Sequence, residues 1–224
     1  KLFHYNLFMV STHRDKARVG TITSHMEHYL EWKDPYPLSL EEVAGSEASQ
    51  DVLLAGLFSR VNFLDILQNF TIFEPVDGRV IKKIPRYQQF RAVHKTIERL
   101  KAGNTPKDKS GVIWHTQGSG KSLTMVFLTV KIRRDSELKG YKLVFLTDRK
   151  QLDAQLTTTF SHAQNETVHH ADSVESLKKL LASDSSDIVT AMVQKFQERS
   201  DNFEFPVLNE SHKIIVLADE AHRT

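Results

Sequence analysis

The 224-residue sequence has no cysteine. That excludes disulfides, thiolate metal centres and thiol nucleophiles together, and it suits a reducing compartment. Nor is there an apolar run of the roughly twenty residues needed to span a bilayer, and the opening "KLFHYNLFMVST" carries no signal-peptide cleavage pattern. Charge of one sign is lacking as well: 30 basic residues against 28 acidic leave a net charge of +2. Any contact with nucleic acid must therefore come from a local patch rather than from bulk composition. No internal repeat or low-complexity tract appears. What remains is 40% hydrophobic and 26% charged, an ordinary globular balance long enough for one large domain or two modest ones.

The pattern along the chain divides at Pro85. Before it, residues 1–45 read as a strand over Leu2–Val10, a turn at "STHRDKARVG" and a helical stretch around Ser24–Trp32, broken by the prolines of "KDPYPLSLEE". Residues 46–70 read as helix, with Leu53, Leu54, Leu57, Phe58 and Val61 on one face. "TIFEPVDGRVIKKI" reads as a hairpin turning at Pro75–Gly78. After Pro85, "RYQQFRAVHKTIERLK" is an amphipathic helix with Phe90, Val93, Ile97 and Leu100 on its apolar side, and "AGNTPKDKSG" is a loop. Short apolar runs then alternate with helical pieces. The runs are "GVIW", "KLVFLT" (142–147), "DIVTAMV" (187–193) and "KIIVLA" (213–218); the helices fall at 121–133, about 150–160 and 174–182. Strands that are apolar throughout and alternate with helices predict a parallel sheet covered on both faces, an α/β fold. Ligands on such sheets bind at the carboxyl ends of the strands.

"HTQGSGKS" (115–122) fits the phosphate-binding pattern G-x-x-x-x-G-K-[ST] except that His115 stands at its first position. Gly118, Ser119 and Gly120 allow backbone N–H groups to turn inward around phosphates, and a helix starting near Lys121 aims its positive end at them. Lys121 then reaches the β- and γ-phosphates and the Ser122 hydroxyl ligates Mg²⁺. Taken alone, the stretch could be only a glycine turn at a strand–helix junction. A second element weighs against that: "KIIVLADEAH" sets Asp219 and Glu220 at the tip of an apolar strand, where one carboxylate can hold Mg²⁺ and its neighbour can position water. The competing reading of the acidic pair is a helix cap. "RYQQFRAV" contributes Gln89, or Gln88 one place earlier, whose amide offers the donor and acceptor that an adenine edge requires; a solvated helix start is the bland alternative.

Together "RYQQFRAV", "WHTQGSGKSLTM", "LTDRKQLDAQL" and "DEAHRT" resemble the motor region of the restriction (R) subunit of type I restriction–modification enzymes, which are superfamily 2 helicase-like ATPases. The resemblance implies a RecA-like P-loop ATPase domain over 85–224, incomplete at its C-terminus. Before it come a helical and hairpin linker over 46–84 and, over 1–45, a smaller α+β segment from the end of a nuclease domain. It implies ATP and Mg²⁺ as cofactors, with Gln89 on adenine, Gly118–Ser122 on the phosphates and Asp219 and Glu220 as the magnesium and water-activating carboxylates. His222 would link hydrolysis to movement, and Arg149 and Lys195 would touch the DNA backbone. Double-stranded DNA and the modification and specificity subunits are the implied partners, the prokaryotic cytoplasm the implied location, and membrane contact is not implied. The chain ends two residues after "DEAH", so the second RecA-like half of such motors lies beyond it. The expectation is weak ATP binding and little hydrolysis by these residues alone.

Three other readings stand beside this one: a different superfamily 2 helicase or remodeller, a small-molecule P-loop kinase, and a non-catalytic docking module that keeps the nucleotide fold. Asp15, Glu31 and Lys33 have the residue types of a PD-(D/E)xK nuclease, but "EWK" precedes prolines rather than lying on a strand, and solvated charge is the better expectation. The pairs His25/His28 and His169/His170 lack a third clustered ligand and read as surface histidines.

Overall fold

A computed structural model describes residues 5–43, 48–116, 118–147, 168–192 and 207–219. Arg149, Lys195, Glu220, His222 and the helix expected near 150–160 lie outside the described residues. The chain divides into two compact units, Lys1–Val130 and Lys131–Thr224.

The first unit begins with an antiparallel hairpin, β1 (Met9–His13) and β2 (Lys16–Gly20). The segment expected to be only a turn therefore supplies most of two strands, with the reversal confined to Arg14 and Asp15. The helix expected over Ser24–Trp32 shrinks to a single 3₁₀ turn, Met26–His28. Leu30 instead pairs with Val19 through two backbone bonds of 3.0 and 3.1 Å. Tertiary pairing outweighs a weak helical preference here.

The expected single helix over 46–70 is two, α1 (Ser49–Gly56) and α2 (Arg60–Asn69). The break at Leu57–Ser59 resets the helical phase. Leu53 and Leu57 are buried, whereas Leu54 and Val61 face solvent and Phe58 is half-buried, so the five residues do not share one face. Strands β3 (Ile72–Val76) and β4 (Arg79–Lys83) form the expected hairpin. Its two-residue turn at Asp77 and Gly78 has positive φ at both positions (49° and 74°), the handedness that matches strand twist.

Helix α3 (Tyr87–Ala102) buries Phe90, Val93 and Ile97, as its 3.6-residue spacing requires. The short α4 (Pro106–Lys109) is closed by a reciprocal cap between Thr105 and Asp108. Helix α5 (Lys121–Arg134) follows the phosphate-loop motif. An aromatic cluster fixes α3 and the start of α5 to one another. The Phe70 ring lies 5.0 Å from that of Phe90 on α3 and 5.4 Å from that of Phe127 on α5, and Trp32 stands 5.8 Å from Phe90. All four are fully buried. Each contributes about 1.5–3 kcal/mol through burial, and each ring pair about 0.5–1.5 kcal/mol more. Around the cluster, Asp65 accepts from Asn69 and bonds His94 at 2.7 Å, joining α2 to α3.

The second unit holds a four-stranded parallel sheet, so the α/β expectation is met there. Its strands are β5 (Lys142–Thr147), β6 (Val168–His170), β7 (Ile188–Met192) and β8 (Ile214–Ala218), in the order β6-β7-β5-β8. The central strands β5 and β7 are buried on both faces, which is why they read as continuous apolar runs. Helix α6 (Val174–Ala182) places Leu177 against Ala171, Val189 and Ala191. Two buried cations tie the loops at the base of the sheet. Arg133 donates to the carbonyls of Lys139, Tyr141 and Ser186. Lys142 donates to the Leu180 and Ser183 carbonyls at the C-terminal end of α6, and burial lowers its pKa.

One expected strand is missing. "GVIW" forms no regular structure, and Val112 and Trp114 are 89% and 88% exposed. Apolar, β-branched composition favours a strand only where a neighbour supplies the ladder, and residues 111–114 have no strand partner among the described residues. The fourth strand of the sheet is instead Val168–His170, a three-residue segment too short to register as an apolar run.

Candidate nucleotide-binding site

The motif at 115–122 lies in the first unit, between the irregular segment 111–116 and α5. Gly118 and Gly120 have φ of +76° and +86°, the left-handed region where L side chains are strained. Placed on either side of Ser119, they give the loop the alternating backbone handedness from which anion-binding concavities are built. Ser119 closes the turn: its N–H donates to the Thr116 carbonyl at 3.2 Å and its hydroxyl to the same oxygen at 2.6 Å. The Gly120 carbonyl starts α5 by accepting from the Thr124 N–H at 3.1 Å and the Thr124 hydroxyl at 3.2 Å. Lys121 and Ser122 occupy the first turn of that helix, both half-buried.

The two glycines are required for different reasons. A Cβ on Gly118 would meet nothing within 4 Å, so backbone conformation alone decides that position. A Cβ on Gly120 would stand 2.6 Å from Nε2 of Gln89. Gln89 is 1% exposed, and its Nε2 donates to the Gly120 carbonyl at 3.0 Å while its Oε1 accepts from the Arg86 N–H at 2.8 Å. The structure thus brings Gln89 together with Gly118–Ser122 across 30 residues of sequence. Thr116 and Thr124, which pattern matching passed over, hold the loop's shape. The only sequence signal for Thr124 is its i+4 spacing from Gly120, which allows a hydroxyl back-bond.

His115 is half-buried, and its Nδ1 is buried with no hydrogen-bond partner among the described residues. Burial, and secondarily the charge of Lys121, lower its pKa from 6.5, so the imidazole is neutral at pH 7. A depressed folded-state pKa means that the unfolded chain takes up this proton first as pH falls. Stability that is present above about pH 6.5 is therefore lost below it. The thermal midpoint of the wild type is expected to fall more than that of His115→Gln between about pH 7.5 and about pH 5.5. Parallel losses would show that His115 is not the group responsible.

Asp219 lies in the second unit, one residue past the end of β8. It is 7% exposed, and its N–H donates to the Leu146 carbonyl at 2.9 Å, extending the β5–β8 pairing by one step. It therefore stands at the carboxyl edge of the sheet beside the end of β5, where parallel sheets bind ligands. Ser122 in the first unit carries a hydroxyl and Asp219 in the second a largely buried carboxylate, each by its own chemistry a hard oxygen donor of the kind Mg²⁺ takes.

Among the described residues, the nuclease-type triplet and the histidine pairs do not assemble into sites. Lys33 and Glu31 pair with each other at 3.4 Å on the surface, in a segment that is not a strand. His170 bonds the Thr190 hydroxyl through Nδ1 at 2.9 Å, and His169 stands 3.8 Å from Asp187. Among the described residues no group of three or more His, Cys, Asp or Glu is arranged to hold a metal, and no helix is long and apolar enough to cross a membrane.

Comparison with known proteins decides the family. The model of the SWI2/SNF2 ATPase family matches residues 88–224, which include Gln89, the glycine loop and "DEAH". The chain belongs to the SWI2/SNF2 ATPase family. Along its whole length it is similar to endonuclease subunits of type I restriction enzymes. It is 33% identical over 231 residues to the HindI subunit of Haemophilus influenzae, of which it covers 22%. It is also 33% identical over 243 residues to a candidate subunit, MjaIXP, of Methanocaldococcus jannaschii, of which it covers 23%. A subunit from Staphylococcus saprophyticus, SsaAORF53P, is 30% identical over 160 residues, 71% of this chain. The chain spans less than a quarter of the length of the relatives it matches over its whole length. This ATPase-family chain thus carries the glycine loop and the Asp219 strand in separate compact units.

Proposed function

We propose that this ATPase-family chain is the nucleotide-binding part of a type I restriction endonuclease subunit, in which ATP hydrolysis drives translocation of double-stranded DNA before cleavage. The observation that carries the reading is the left-handed Gly118-Ser119-Gly120 turn leading into α5, with Lys121 and Ser122 in the helix's first turn. In it, Gly118, Gly120, Lys121 and Ser122 supply amides to the phosphates, Lys121 neutralises the β- and γ-phosphates, and Ser122 and Asp219 hold Mg²⁺. When bound, the ion supplies charge neutralisation on the transferring phosphoryl group. Glu220 positions the attacking water and His222 passes hydrolysis on to movement. Gln89 joins the site from α3. Arg149 and Lys195, which follow β5 and β7 in sequence, are its contacts to the DNA backbone. The modification and specificity subunits are the partners this reading entails, and residues 1–45 are the end of its nuclease domain.

The relatives' names favour a restriction subunit over another helicase or remodeller, although the family model alone fits either. Calorimetric titration with Mg²⁺–ATP tests the reading. The wild type is expected to bind, and Lys121→Ala to lose at least about tenfold in affinity, because a charge-assisted phosphate contact is removed. Equal binding by the two proteins would leave only a docking module with the fold of a nucleotide site.

A further inference from the structure

The whole chain carries a net charge of +2, and the hairpin Met9–Gly20 carries as much alone: Arg14, Lys16 and Arg18 against the single acid Asp15. Strand register decides where that charge goes. Successive residues project to opposite faces of a strand, and directly opposed residues project to the same face. Lys16 stands opposite His13 and Arg18 opposite Ser11, and all four are exposed. Ala17 and Val19, on the other face, are buried. One face of the hairpin is therefore core and the other a cationic ridge.

Two features set the ridge apart from an ordinary solvated surface. Lys33, Lys83 and Arg91 of the same unit are each ion-paired with an acid, whereas Arg14, Lys16 and Arg18 pair with none among the described residues. The turn is also unusual. Arg14 has a φ of 20°, on the positive side that Asn, Asp and Gly favour, and the β3–β4 hairpin meets that demand with Asp77 and Gly78. The first hairpin instead places a third cation at its tip. Its position is fixed from below, since the Arg14 carbonyl accepts from the Gln50 N–H and the Ala17 N–H donates to the Ser49 hydroxyl, both at 3.1 Å. The ridge is thus held in place by α1 before any partner arrives.

We infer that the exposed face of the β1–β2 hairpin is a docking surface for the phosphate backbone of double-stranded DNA, additional to Arg149 and Lys195. Three fixed cations and the Ser11 hydroxyl suit phosphate oxygens, which position a protein on a duplex without reading sequence. No Phe, Tyr or Trp lies within Met9–Gly20 to stack an unpaired base, so the surface fits a duplex rather than a single strand. The inference rests on the functional reading above only for the choice of DNA among polyanions.

Fluorescence anisotropy with a labelled duplex, over a series of salt concentrations, tests it. Lys16→Gln/Arg18→Gln is expected to bind about tenfold more weakly at low salt, with a log–log salt slope shallower by about two, because each phosphate contact contributes about 0.9. Duplexes of unrelated sequence should lose equally. Lys16→Arg/Arg18→Lys keeps the charge and is expected to keep both values; the same loss in this variant would make the hairpin's role structural and overturn the inference. Unchanged affinity and slope in the glutamine variant would overturn it, as would a wild type that binds no duplex. A loss seen with oligothymidylate but not with the duplex, or an equal loss with polyglutamate, would overturn the choice of partner. Mg²⁺–ATP affinity should be the same in both variants as in the wild type. A wild type that binds ATP no better than Lys121→Ala fails the functional reading and leaves the hairpin result standing.

Discussion

Gly120→Ala is expected to cost the chain at least about thirtyfold in Mg²⁺–ATP affinity, equivalent to about 2 kcal/mol. Two effects combine at this position. The backbone sits at φ +86°, where an L side chain meets its own carbonyl at a cost of about 1–2 kcal/mol. The new methyl also stands 2.6 Å from Gln89 Nε2. A free side-chain end would swing aside, but this one is held by hydrogen bonds at both ends of its amide. Gly118→Ala is the internal control: its φ is +76°, but space around the Cβ is open, so only the backbone cost applies. Calorimetry should therefore rank the wild type above Gly118→Ala and Gly118→Ala above Gly120→Ala. Equal losses at the two glycines would mean that the contact with Gln89 does not shape the loop.

Asp219→Asn is expected to weaken the dependence of nucleotide affinity on Mg²⁺. The substitution keeps the volume of the side chain and the N–H bond to Leu146. What changes is the charge. A neutral amide oxygen is a poor ligand for a hard divalent cation, and metal affinity in the ATP complex should fall by about tenfold to a hundredfold. Any hydrolysis the chain performs should fall at least as far, because the ion supplies several kcal/mol of charge stabilisation during phosphoryl transfer. Titration of Mg²⁺ at fixed ATP, read by calorimetry, measures both affinities. An unchanged magnesium requirement in Asp219→Asn would remove this carboxylate from the site.

Much of the second unit was legible in the sequence because its strands are buried on both faces. "KLVFLT" is β5 to the residue, and the runs at 187–193 and 213–218 contain β7 and β8. Helix α3 and the Asp77–Gly78 hairpin were legible for the same kind of reason: periodicity in one, turn chemistry in the other. The failures fall where local pattern competes with pairing. Ser24–Trp32 has a weak helical preference that the Val19–Leu30 bridge overrides. The run Leu53–Val61 keeps a helical period on paper, but the break before Arg60 turns Val61 outward. "GVIW" has strand composition without a ladder, and β6 has a ladder without strand length.

Within the candidate site, glycine spacing announced the loop and the acidic strand end announced Asp219. The link between Gln89 and Gly120 could not be read in this way. Nothing in the sequence says which of two adjacent glutamines points inward, and that depends on the start of α3 at Tyr87 and on the Phe70 cluster that fixes α3 and α5 to each other.

The central claim is that the glycine loop and Asp219 serve one metal–nucleotide. Electron–nuclear double resonance of Mn²⁺ added with ATP tests it most directly, since it shows whether the bound ion touches phosphate and whether Asp219 holds that same ion. The account predicts strong phosphorus coupling from a single tightly bound ion in the wild type, and loss of that ion in Asp219→Asn. An ion that stays phosphate-coupled and equally tight in Asp219→Asn would contradict it.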